Sequence, residues 1–84
     1  MFSHRFHLPV VITVHARERM AARDMSEELL LDIIETGVDK VAGAGHHWIY
    51  KEYRGRKDNL LCVAAVIDQV FVVKTVMHHW EIAS

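Results

Sequence analysis

Apolar positions along this chain follow two rhythms. Between residues 15 and 37 they recur every three or four places; from residue 38 onward they alternate or run together. The first rhythm predicts helix. It divides at Asp24-Met25-Ser26 into two pieces of different character. In the first, His15, Arg19 and Arg23 lie four apart and share one face, with Ala16 and Met20 on the adjacent stripe. Thr13 suits its N-cap. The second opens on Ser26 as N-cap, carries Glu27 and Glu28 in its first turn and has Gly37 just past its end. Leu29, Leu30, Leu31, Ile33 and Ile34 form its core face, leaving Asp32 and Glu35 outside.

The second rhythm predicts strands. Residues 10–14 are β-branched and apolar, a short strand leading into the first helix, while residues 1–8 are mixed and expected to fray. Residues 38–41 suit another short strand, followed by the flexible turn Gly43-Ala44-Gly45. From His46 the character alternates. Trp48, Tyr50, Glu52 and Arg54 share one side; His47, Ile49, Lys51 and Tyr53 share the other. Neither side is purely apolar, as expected near a sheet edge. Residues 60–67 are almost continuously apolar, the pattern of a central strand covered on both faces. Asp68-Gln69 then turns the chain into residues 70–77, which pair back as a hairpin. The expectation is an α+β fold: a short N-terminal strand, then two helices on one face of a three- to four-stranded antiparallel sheet. At 84 residues, the chain is expected to form one domain, 1–84.

Composition narrows the function classes. The chain is 51% hydrophobic and 25% charged, an ordinary globular balance. A formal net charge of −1 gives no global field for nucleic acid. The basic residues are nevertheless segregated: His15, Arg17, Arg19 and Arg23 crowd the first helix, while Lys51, Arg54, Arg56 and Lys57 crowd the strand and turn after His46. Such runs are more often solvated faces than a cationic groove, though segregation on this scale is compatible with either. Cys62 is the sole cysteine, so no internal disulfide is expected, and its apolar setting suits an inert buried thiol. The first fourteen residues lack a secretory cleavage pattern, and no apolar run is long enough to span a bilayer. A cytoplasmic protein with no membrane association is the expectation.

Candidate chemistry follows from placement. Lys74 interrupts an apolar strand and must reach water or an anion. Read by alternation, its face also carries Val70, Val72, Val76 and His78. The chain has seven histidines, but His46-His47 and His78-His79 are adjacent pairs that strand geometry sends to opposite faces. No metal-ligand spacing is present, so neither a metal nor another cofactor is expected. His15, opening a helix beside arginines, suits a general base as well as a backbone-bonded cap. Trp48, Tyr50 and Tyr53 beside Lys51 and Arg54 suit base stacking with phosphate contacts, or simple cross-strand packing.

Read together, His15-Ala16-Arg17-Glu18-Arg19-Met20, then Arg23, then Met25-Ser26-Glu27-Glu28 and a helix closing at Gly37 resemble the domain-of-unknown-function 4258 family. Its members begin with an H-A-x-x-R-x-x-x-R helix, continue with an I-S-x-E-E helix and finish with strands. The resemblance covers roughly residues 12–77. That family is similar in layout to RelE/BrnT-like toxins, small α+β ribonucleases silenced by an antitoxin. The resemblance implies a RelE-like fold and metal-independent RNA cleavage. It places His15, Arg19 and Arg23 at the motif positions, and chemistry adds Tyr53 and Lys74 as catalytic candidates. Arg17, Lys51, Arg54 and Arg56 are then candidate RNA contacts, and an antitoxin is the implied partner. The competing expectation is a non-enzymatic module that binds protein or forms a homodimer through an exposed strand edge.

Overall fold

The computed structural model describes residues 1–55 and 60–78. The two helices form where the periodicity predicts them, α1 at Val14–Ala22 and α2 at Glu27–Thr36. Both caps act through the side-chain oxygen. Thr13 Oγ1 accepts from the Ala16 amide at 3.1 Å, and Ser26 Oγ accepts from the Leu29 amide at 3.1 Å. Behind α1 the chain leaves the helix at Asp24, whose φ of 52° is a left-handed conformation that a right-handed helix cannot continue.

Six strands form one sheet: β1 (Phe2–Ser3), β2 (Leu8–Ile12), β3 (Val38–Gly43), β4 (His46–Glu52), β5 (Leu60–Ile67) and β6 (Phe71–His78). Their spatial order is β1-β2-β6-β5-β4-β3. This corrects the expected three- to four-stranded antiparallel sheet in two respects. The N-terminal strand β2 joins the sheet beside β6, and that pairing is parallel, with Val10 opposite Phe71 and Ile12 opposite Val73. A parallel pair needs a long crossover, which here consists of both helices and three strands. The other correction is β1. Residues 1–8, expected to fray, pair instead, with Phe2 opposite Pro9 and Ser3 opposite Leu8. Ser3 is fully buried, and its Oγ accepts from the Phe6 amide at 3.1 Å.

The core lies between the helices and one face of the sheet. Leu61, Val63 and Ala65 of β5 alternate onto that face, joined by Ile49 of β4 and by Phe71, Val73 and Val76 of β6. Ala16 and Met20 of α1, Met25, and Leu30, Ile33 and Ile34 of α2 close it from above. Residues 60–67 were expected to be covered on both faces, but no helix covers the other one among the described residues. There Tyr50, Cys62 and Met77 lie in register, with Trp48 opposite Ala64, and Cys62 is still fully buried.

A bulge corrects the phase of the last strand. Ala64 pairs with Thr75 and Ala65 with Val73, so Lys74 is an extra residue opposite no partner. Val76 therefore returns to the core face, whereas Val72 points away from it. Strict alternation had placed Val72, Lys74 and Val76 together.

Gly37 ends α2 through close approach rather than through a left-handed cap. Its φ is −74°, yet an added Cβ would lie 2.5 Å from the Ile33 carbonyl oxygen and 2.8 Å from that of Tyr50. Only a residue without a side chain lets the end of α2 rest against β4.

Candidate functional site

The cationic residues of α1 divide between its flanks. With Ala16 and Met20 turned into the core, His15, Arg19 and Arg23 line up along one side of the buried stripe. His15 and Arg19 are exposed, and Arg23 is half-buried at the C-cap. Arg17 projects from another flank and pairs with Glu27 of α2 at 3.1 Å. Both members are more than half exposed, so this pair contributes roughly 0.2–1 kcal/mol.

The start of α1 is fixed beside Lys74. Thr13 Oγ1 donates to the Val73 carbonyl at 3.0 Å and reaches that of Lys74 at 3.3 Å. These bonds tie the N-cap of the motif helix to the bulge in β6, bringing the backbone of Lys74 to the helix that carries His15. The Lys74 side chain is exposed, which answers the demand that a lysine in an apolar strand reach water.

A second cluster forms between α2 and the end of β4. Lys51 Nζ donates to Asp32 Oδ2 at 2.8 Å and to Thr36 Oγ1 at 2.7 Å. The Tyr53 hydroxyl donates to the same Asp32 oxygen. Lys51 Nζ also lies 5.3 Å from the centroid of the Tyr53 ring, within cation–π range. The hydrogen bond from Lys51, followed by that from Tyr53, holds the Asp32 carboxyl below the usual carboxylate range; partial burial opposes them and is outweighed. Beside this cluster is a hollow of about 250 Å³, bounded by Thr36, Gly37, Lys51, Glu52 and Leu60.

Sequence reasoning found Lys51 and Tyr53 but set Asp32 aside as a solvated residue. A signal was available: Asp32 and Thr36 stand one turn apart on α2, a carboxylate and a hydroxyl on the same polar edge. Glu35 was set aside in the same way, yet its carboxylate accepts from the His4 amide at 2.9 Å and the Arg5 amide at 2.8 Å.

The remaining candidates are dispersed. Arg54 is exposed in the turn that follows β4, whereas Arg56 and His79 lie outside the described residues. His47 Nδ1 is 2.8 Å from Asp39 Oδ1, linking β4 to the edge strand β3, and the Phe6 ring meets the imidazole edge-on with centroids 6.0 Å apart. No group of three or more His, Cys, Asp or Glu side chains is placed to hold a metal ion among the described residues. Nor is any helix among them long and apolar enough to cross a membrane.

The molecule is thus a small α+β domain whose motif helix turns basic side chains outward. The chain belongs to the family described as Domain of unknown function (DUF4258), whose model matches residues 12–78. No curated protein matches it, and no solved structure does.

Proposed function

We propose that this domain binds RNA and cleaves it as a toxin-type ribonuclease similar to RelE and BrnT, acting in the cytoplasm. One observation carries the reading: the motif side chains His15 and Arg19 are not used to build the core. His15 and Arg19 face solvent, and Arg23 lines the same flank. A helix needs no such residues in order to fold, whereas a phosphate backbone is recognised by them.

The reaction is attack of a ribose 2′-hydroxyl on the adjacent phosphorus: the 2′-oxygen loses its proton and bonds to phosphorus, the bond to the 5′-oxygen breaks, and a 2′,3′-cyclic phosphate and a protonated 5′-hydroxyl result. His15 or Tyr53 moves the proton, and Arg19, Arg23 and Lys74 offset the charge that develops on the phosphate oxygens. Arg17, Lys51, Arg54 and Arg56 hold the flanking strand. This chemistry can run on side-chain acids and bases without a metal ion. An antitoxin protein is the partner this reading implies.

The test is direct. Wild-type protein and His15→Ala are incubated with total RNA, and each is expressed in growing cells. Wild type is expected to cut and to arrest growth, and the variant to do so at least tenfold less. Intact RNA with unimpeded growth for wild type would remove the ribonuclease reading.

A second reading, a non-enzymatic module that binds protein or itself, draws on the sheet face that no helix covers among the described residues. Val38 is 56% exposed and Trp48 39% exposed on that face, apolar surface of the kind that partners cover. Sedimentation at rising concentration tests self-association, and a constant monomer mass would exclude it.

A further inference from the structure

Strand β4 outruns its edge partner. β3 reaches back along it only to Val38, opposite Tyr50. β4 continues through Lys51 to Glu52, paired there among the described residues on the β5 side alone, with Leu61 and Leu60. This last stretch of β4 borders the hollow of about 250 Å³, which Thr36, Gly37 and Val38 of the α2–β3 junction also line. Lys51 and Glu52 leave the strand on opposite faces. Both still line the hollow, because it lies past the end of β3.

Two charges of opposite sign are available there. Lys51 Nζ carries three hydrogens, and Asp32 Oδ2 at 2.8 Å and Thr36 Oγ1 at 2.7 Å take two of them. One remains, on an ammonium that the other two bonds hold still. The Glu52 carboxylate is exposed and makes no hydrogen bond or ion pair among the described residues. Glu52 repels a phosphate or carboxylate, and Lys51 repels a cation. A neutral group that accepts from the ammonium and donates to the carboxylate satisfies both, and Val38 and Leu60 add apolar surface for a flat ring. The hollow is smaller than the roughly 300–1,000 Å³ that houses a drug-sized ligand, so a nucleobase enters and its sugar stays outside.

We propose that this hollow is a base-recognition subsite for guanine in single-stranded RNA. The proposal deepens the RNA-binding reading and rests on it for the class of ligand. Along one edge guanine presents the O6 carbonyl and then two adjacent donors, N1–H and N2–H. Lys51 donates its remaining hydrogen to O6, and the two guanine hydrogens go to the two oxygens of Glu52 as a bidentate pair. No other RNA base sets two donors side by side. Uracil has one N–H flanked by carbonyls, and the amino groups of adenine and cytosine stand beside a ring acceptor.

Binding tests the subsite without any cleavage. The four ribonucleoside monophosphates share one sugar and one phosphate, so differences among them belong to the base. Each is titrated into isotope-labelled wild type and into Glu52→Gln, and amide shifts are followed by NMR. The guanine nucleotide is expected to move the amides of Gly37, Val38, Lys51 and Glu52. It should bind wild type about tenfold to a hundredfold more tightly than the other three. Glu52 is exposed, so its substitution spares the fold, and Glu52→Gln is expected to lose that margin because an amide puts a donor where guanine also donates. Equal affinity for all four, preference for another base, shifts confined to other residues or no binding at millimolar nucleotide would each overturn the proposal. So would a guanine margin that survives in Glu52→Gln. Cleavage of total RNA by wild type is read separately: an inert protein that still prefers guanine loses the ribonuclease reading and keeps the subsite.

Discussion

The guanidinium of Arg5 closes on the carbonyl oxygen of Gly37, 2.7 Å from its Nη1, and the same nitrogen reaches the Ile34 carbonyl at 3.1 Å. The last carbonyls of a helix have no partner within it, and a cation there also meets the negative end of the helix dipole. Arg5→Met should keep most of the apolar stem and lose both bonds. A destabilisation of roughly 1–3 kcal/mol is expected, read as a lower denaturant midpoint at unchanged slope. A midpoint within error of wild type would show that solvent satisfies those carbonyls equally well.

Gly37→Ala tests the close approach of α2 to β4. The backbone there suits any residue, so the cost is steric alone: a methyl group placed 2.5 Å from the Ile33 oxygen and 2.9 Å from Ile49 Cγ2. Separation of the helix end from the strand should cost about 1–3 kcal/mol. Gly43 is the contrast, since an added Cβ meets nothing within 4 Å while its φ is +85°. Alanine there should cost about 1–2 kcal/mol through backbone conformation only. Thermal melts of the two variants, with crystal structures, distinguish the causes: a shifted α2 in the first and an unshifted sheet in the second.

The Asp32 cluster gives a pH dependence of definite sign. Its carboxyl is held in the folded state below the ordinary aspartate value by the hydrogen bonds from Lys51 and Tyr53. Its contribution is therefore fully present above the unfolded value and disappears as pH falls through the folded one. Asp32→Asn should be less stable than wild type near neutrality, and the gap should close in acid below about pH 4. Asp32 is 42% exposed, so solvent screening keeps the gap small. Urea titrations of both proteins at neutral and acid pH measure it. A gap that persists unchanged in strong acid would show that ionisation of Asp32 is not its source.

Burial pushes the Cys62 thiol up to about 12. At pH 8 almost none of it is thiolate, the form that reacts. In native protein, labelling by a disulfide reagent should run at the rate of structural opening, and in denaturant it should be complete within the mixing time. Prompt labelling of folded protein would mean that the face bearing Cys62 opens locally.

Much of the fold was legible because it is local. Thr13 and Ser26 declared both helix starts, and the alternation from His46 separated Ile49 and Lys51 from Trp48 and Tyr50 as the structure does. What the sequence concealed depends on contacts between residues far apart. The parallel pairing of Val10 with Phe71, the Glu35 bonds to His4 and Arg5, and the convergence of Lys51 and Tyr53 on Asp32 leave no mark on a window of ten residues. The bulge at Lys74 belongs to the same kind, since one unpaired residue shifts the phase of everything after it. Of the candidate site, the α1 flank was visible from four-residue spacing alone. The partner of Tyr53 was not, because an aspartate on a helix surface looks solvated until the strand beneath it is known.

The pairing of β2 with β6 sets an order of events in synthesis. Val10 emerges from the ribosome some sixty residues before its neighbour Phe71, and until then β2 has only the two-residue strand β1 to lie against. The helices and the β3–β4–β5 meander can gather meanwhile, but the seam that joins the two ends of the domain closes last. Until Phe71 is made, Val10 and Ile12 lack the strand they pair with in the finished sheet. That delay makes closure of this seam the step at which mutations near either end should slow maturation most.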